Sequence, residues 1–149
     1  MSAAELSAFL DEERTVICAT NGHDGFPHLM PLWYVMRDGD LWAWTFAKSQ
    51  KVRNLERDPR ATLQVEAGSE YAELRGAMLK CDVTVHRETD RVAELGTELF
   101  LRYGASDAGA LDDSVREMVL QQAPKRVALQ FRAHSRATWD HRKLAAGVY

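Results

Sequence analysis

Leu6, Phe9 and Leu10 fall on one side of a helical turn, so residues 4–14 read as a short amphipathic helix. Thr15 to Asn21 (TVICATN) is rich in β-branched residues and reads as a strand. GHDG at 22–25 is a turn, and Pro27 to Met36 reads as a second strand with two largely apolar faces. Arg37-Asp38-Gly39-Asp40 supplies an Asp-Gly pair, a strong tight-hairpin signal, and Leu41 to Ala47 is the returning strand. Ser49 to Asp58 reads as a helix: Ser49 suits the N-cap, and Pro59 disfavours helical geometry at Asp58. Ala61 to Ala67 and Tyr71 to His86 read as two more strands, and 88–103 and 111–122 follow helical periodicity. Arg126 to Ala137 alternates apolar and polar residues, as a half-exposed strand does.

This order predicts a mainly β chain with flanking helices. About six antiparallel strands joined by hairpin-length connections would close into a small barrel. Helices do not alternate with strands, which excludes a doubly wound parallel sheet. At 149 residues the chain is long enough for one domain, residues 1–149, with a real core. A net charge of −3 gives no bulk support for nucleic-acid binding. No stretch approaches the roughly 18 apolar residues that cross a bilayer. The first residues, MSAAELSAFLDEER, are acidic and lack a signal pattern, so a cytoplasmic protein is expected. Cys18 and Cys81 lie in apolar stretches and read as free buried thiols.

Candidate chemistry concentrates in Trp42 to Leu55 (WAWTFAKSQKVRNL), where a strand feeds a helix whose start carries Lys48, Lys51 and Arg53. Helix N-termini carry partial positive charge and favour acids, yet no acid appears before Glu56. Cations there make sense if an anion sits on the free amides, with hydroxyls from Thr45 and Ser49 adding donors. A solvated basic face explains the same residues equally well. GxxxxGK[ST] and GxGxxG are absent, so an ordinary nucleoside-triphosphate or dinucleotide site is not indicated. In Pro27 to Met36 one face can fill a barrel, while the other needs cover from a second subunit or a flat ligand. Pro31 breaks the ladder in mid-strand. The tail TWDHRKLAAGVY sets Trp139 beside His141, Arg142 and Lys143. It can close over an anion or simply be a solvated terminus. The five histidines show no metal-ligand spacing, and no pattern selects a catalytic acid, base or nucleophile.

The run WTFAKSQKVRNLERDPRATLQVE resembles the central motif of the pyridoxamine 5′-phosphate oxidase-like split β-barrel superfamily. Lys51, Asn54, Leu55, Arg57, Asp58, Pro59, Arg60 and Ala61 carry the resemblance most specifically, toward the deazaflavin (coenzyme F420)-dependent branch. DGFPHLMPLWYV and the glycine in ELRGAMLK match as well. The resemblance implies a six-stranded FMN-binding split barrel and a homodimer with a cofactor site at the subunit interface. It places the ring system along Met30, Pro31, Leu32 and Trp33. The phosphate would lie on Thr45, Lys48, Ser49 and Lys51, with Trp44 and Phe46 also at the cofactor, and Trp139 and Arg142 would reach across from the partner. The implied cofactor is F420, with FMN as the alternative. The implied activity is an oxidoreductase passing a hydride to an unsaturated small-molecule substrate. The tail lacks the proline of the pyridoxal-binding signature of true pyridoxamine phosphate oxidases, so that reaction is not implied. Relatives on this scaffold also carry haem, which leaves a non-catalytic carrier, or a haem protein using His28 or His134, as other readings.

Overall fold

The computed structural model describes residues 1–104 and 113–144. Helix α1 (Ala3–Glu12) starts in a reciprocal capping box between Ser2 and Glu5 and buries Leu6, Phe9 and Leu10, the face its spacing predicts. Seven strands follow: β1 (Val16–Asn21), β2 (Pro27–Leu32), β3 (Val35–Arg37), β4 (Asp40–Phe46), β5 (Arg60–Ala67), β6 (Arg75–His86) and β7 (Arg126–Asp140). Helix α2 (Gln50–Arg57) joins β4 to β5, and α3 (Thr89–Tyr103) and α4 (Asp113–Gln122) join β6 to β7. Residues 111 and 112 of the expected last helix lie outside the described residues. The β3–β4 hairpin turns on Asp38 and Gly39, both at positive φ (52° and 84°), as the Asp-Gly pair requires.

The strands form one antiparallel sheet in the order β2-β1-β5-β6-β7-β4-β3. Its edge strands β2 and β3 are neighbours in sequence, separated only by Trp33 and Tyr34. Three Cα steps span at most about 11 Å, so the sheet must curl until its edges nearly meet. It does not close by hydrogen bonding, which makes it a split barrel. The barrel interior holds Val16, Cys18, Leu63, Val65, Ala77, Leu79, Val127, Leu129 and Phe131, with α1 against one end and Val52 and Leu55 of α2 at another. A second core packs Val92, Leu95 and Leu99 of α3 over Trp42 and Ala128 on the outer face of β4 and β7. Cys18 and Cys81 are free and buried, and burial pushes both thiols up to about 12.

Four expectations change. The sheet has seven strands rather than six, because Pro27 to Met36 is two strands on opposite edges. The chain leaves the ladder at Trp33 and Tyr34 because the Tyr34 ring turns fully inward, its hydroxyl donating to the Leu10 carbonyl (2.7 Å). The Tyr103 hydroxyl replaces the missing strand neighbour: it accepts from the Tyr34 N–H (3.0 Å) and donates to the Tyr34 carbonyl (2.8 Å). Second, β2 contributes little to the interior. Leu32 is buried and His28 half-buried, while Leu29 and Met30 stay exposed. Third, β6 begins at Arg75, because Tyr71–Glu73 forms a single 3-10 turn. Fourth, β7 runs three residues past Ala137 to Asp140, held by β6 as far as the Arg75–Asp140 pair.

Tyr103→Phe keeps the ring and removes both bonds to Tyr34. It should lower unfolding free energy by about 1–3 kcal/mol, since buried backbone groups lose their partner. Urea denaturation followed by tryptophan fluorescence measures this.

Candidate functional site

The KxxNL spacing places Lys51, Asn54 and Leu55 on one face of α2, and all three are buried. Asn54 is the anchor. Its amide donates to Thr20 Oγ1 on β1 (3.0 Å) and its carbonyl accepts from Gln50 (2.9 Å) and Arg57 (3.2 Å). Beyond the helix, Asp58 accepts from Asn21 (2.8 Å) and from the Arg60 fork. These bonds hold its carboxyl far below the usual range. The C-terminal half of α2 is thus pinned to β1 and β5, and Lys51 ties its first turn to Thr45 near the end of β4.

That N-terminus is poorly satisfied from within. Ser49 occupies the N-cap position in extended geometry, but its side chain makes no capping bond, and the first turn holds no acid. Lys51 is only 6% exposed and donates to Thr45 Oγ1 at 3.0 Å. Burial depresses its basicity, opposed only by nearby Cys18, and no carboxylate offsets it. Four buried side-chain polar atoms lack a partner among the described residues: His28 Nδ1, Ser49 Oγ, Arg102 Nε and Arg126 Nε. Arg102 is otherwise spent on the carbonyls of Leu10, Asp11 and Glu13. The other three lie near the start of α2, with His28 and Arg126 at two separate cavities. Ser49 begins it. His28 shares a small cavity of about 210 Å³ with Gln50 and Asn54. Arg126 shares with Lys51 a cleft of about 420 Å³ lined also by Thr15, Pro31, Leu32, Trp33, Trp44 and Thr45. Buried polar atoms are almost always paired, so unpartnered atoms beside two cavities that both touch the first turn of α2 make this region the candidate site. A larger depression of about 590 Å³ lies on the outer sheet face around Lys80 and His134, but none of the orphaned atoms lines it.

A family model described as pyridoxamine 5′-phosphate oxidase matches residues 2–140. The chain belongs to this family. A conserved hypothetical protein from Mycobacterium tuberculosis is 39% identical, with a TM-score of 0.86 over 95% of this chain and 86% of that one. A structure described as an F420 reductase shares the fold at 18% identity and a TM-score of 0.67, covering 88% and 94% of the two chains. The haem storage protein HutZ of Vibrio cholerae shares it at 12% identity and 0.69, covering 93% of each. No curated protein matches the sequence.

In this pyridoxamine 5′-phosphate oxidase-family chain, Pro31, Leu32, Trp33, Trp44, Thr45 and Lys51 line one cleft. Ser49 stands at its helix end, Phe46 closes β4 at 52% exposure, and Lys48 is exposed in the turn between them. Met30 lies on β2 next to Pro31 and is exposed. Trp33 is exposed, and its ring stacks on Tyr103 at 4.7 Å and 6°. Trp139 and Arg142 do not join their own chain's cleft. They sit at the far end of β7, about 43 Å along the strand from Arg126. There Trp139 covers Gly76, and Arg142 forks onto Asp140 at 2.8 and 2.7 Å. His134 is exposed on the outer sheet face.

Sequence reasoning missed Arg126. It reads as the first residue of an ordinary strand, and only the β4–β7 pairing sets it opposite Phe46. Among the described residues no metal-binding cluster forms, and no helix is long and apolar enough to cross a membrane.

A buried ammonium without an acid beside it costs stability. Lys51→Met should therefore leave the ligand-free protein as stable as the native chain or more so, in urea denaturation at neutral pH. The sign with pH follows. The folded Lys51 loses its proton before the unfolded one, so between the lowered value and the ordinary lysine value of 10.5 the unfolded chain binds more protons. Native stability should rise through that alkaline window relative to Lys51→Met, and the gap should be constant below it.

Proposed function

We propose that the chain is an oxidoreductase that binds a phosphate-bearing flavin-type cofactor, coenzyme F420 in preference to FMN. Its substrate is an unsaturated small molecule that receives a hydride. The observation that carries the reading is the pairing, at the start of α2, of an unpartnered Ser49 Oγ with the buried, acid-free Lys51. These groups suit a phosphate. Ser49 has a hydroxyl to donate, the opening amides of α2 are free of any side-chain cap, and Lys51 retains two N–H donors beyond the one spent on Thr45.

When bound, the cofactor supplies the two-electron chemistry, and the protein supplies binding, orientation and exclusion of water. Thr45 fixes the Lys51 ammonium at the phosphate end, so the anion meets an ordered donor rather than a mobile one. Pro31, Leu32 and Trp33 form the apolar wall along which a ring system would lie, with Pro31 contributing no N–H to any ladder there. The exposed Leu29, Met30, Trp33 and Phe46 are apolar surface that a second copy of the chain would cover in a homodimer. In that dimer the partner's tail would bring Trp139 and Arg142 to the site. A protein of this kind works in the cytoplasm. Family membership and the shared fold of the F420 reductase support the cofactor class.

Lys51→Glu places repulsion at the phosphate and should weaken affinity for F420 and FMN at least tenfold, about 1.4 kcal/mol or more. Fluorescence anisotropy of each cofactor against native and variant protein reads this. Unchanged affinity removes Lys51 from the site, and a Soret band in purified protein would favour the haem reading. Trp139→Ala should lower affinity or turnover in the dimer if the tail reaches the neighbouring site. An unchanged binding curve and rate would remove it.

A further inference from the structure

Arg126 is a cleft cation that the phosphate corner does not account for. Its guanidinium carbon lies 4.4 Å from the Trp44 ring centroid and 4.2 Å from that of Phe46. Two aromatic faces therefore hold the planar group, which shields part of it from water and fixes its orientation. Its Nε is buried without an acceptor, and burial is the one resolved influence on its basicity, which it lowers. Lys51 and Arg126 approach the cleft from opposite faces of β4. Lys51 bonds Thr45, whereas Arg126 covers Trp44 and Phe46, and successive residues of a strand point opposite ways. Two cations so divided serve two anionic groups better than one. The exposed part of a guanidinium is a flat two-donor fork, the shape that matches a carboxylate.

We infer that Arg126 is a specificity residue that receives a second anionic group, a carboxylate on the cofactor tail beyond the phosphate held at Ser49 and Lys51. This rests on the cofactor reading above and deepens it. FMN ends at its phosphate, whereas the deazaflavin continues into a lactyl-oligoglutamate. Arg126 therefore selects for the longer tail.

The test is a set of binding titrations of FMN and F420 against native protein, Arg126→Gln and Lys51→Gln. Arg126→Gln should lose tenfold or more for F420 and less than twofold for FMN, while Lys51→Gln should lose affinity for both. Equal losses for the two cofactors in Arg126→Gln, or no loss for either, overturn the assignment. Should Arg126→Gln fail to fold, Arg126→Lys carries the same comparison, since it keeps the charge and loses the fork. An F420-selective loss supports the proposal, and unchanged affinities overturn it. If the native protein binds neither cofactor, the cofactor reading falls, and γ-linked triglutamate read by tryptophan fluorescence still judges Arg126. Saturable binding that Arg126→Gln abolishes supports a carboxylate site, and no binding to native protein overturns it.

Discussion

A lysine ammonium taken out of water without a carboxylate is held at the point where β4 hands the chain to α2. Lys51 is buried to 6% exposure, and its one bond is to the neutral hydroxyl of Thr45. Folding alone does not favour this arrangement, because desolvation penalises the charge and a neutral hydroxyl returns little of it. The surroundings nevertheless hold it in place. Asn54 ties the helix to Thr20, Asp58 ties its end to Asn21 and Arg60, and Leu55 and Val52 seat it in the barrel. The scaffold spends its packing on keeping a positive corner open, with an unused serine hydroxyl and an uncapped helix end beside it.

The curl of the sheet decides what faces that corner. Because β2 and β3 are joined by two residues and lie on opposite edges, the break at Trp33 and Tyr34 is where the barrel nearly shuts. Tyr34 points inward, and Trp33 is left outside against Tyr103. The same turn that relieves the ladder therefore sets an aromatic wall next to the cation pair. Tyr103 belongs to α3, so the helix that covers the outer core also sets the cleft's edge. Gly96 of α3 serves the same end: a Cβ there would fall 2.4 Å from the Trp44 ring, so only glycine lets the helix close over that tryptophan.

Much of this was legible in the chain. The α1 face, the Asp-Gly hairpin, the bounds of α2 and the acid-free, cation-bearing start of that helix all follow from local rules of periodicity, turn chemistry and helix electrostatics. Whether Lys48, Lys51 and Arg53 form a solvated face or a site was open at that level, because spacing does not say which side is covered. Burial separates them: Lys51 is inside, while Lys48 and Arg53 are exposed. The split of Pro27 to Met36 was not legible, since its apolar run is continuous and the reason for the break is a hydroxyl on a helix 69 residues away.

Periodicity and composition by themselves determined the mainly β class, the strand-to-helix handover and the cluster of cations and hydroxyls along Thr45 to Lys51. Tertiary structure alone decided that the sheet has seven strands with sequence-adjacent edges, that Arg126 stands over Trp44 and Phe46, and that Trp139 lies far from its own cleft. The physical reason is range. Turns, caps and helix faces are settled by neighbours within a few residues, whereas the pairing of β4 with β7 joins Phe46 to Arg126 across the length of the chain. No local pattern encodes which cation that pairing will set against the aromatic rings.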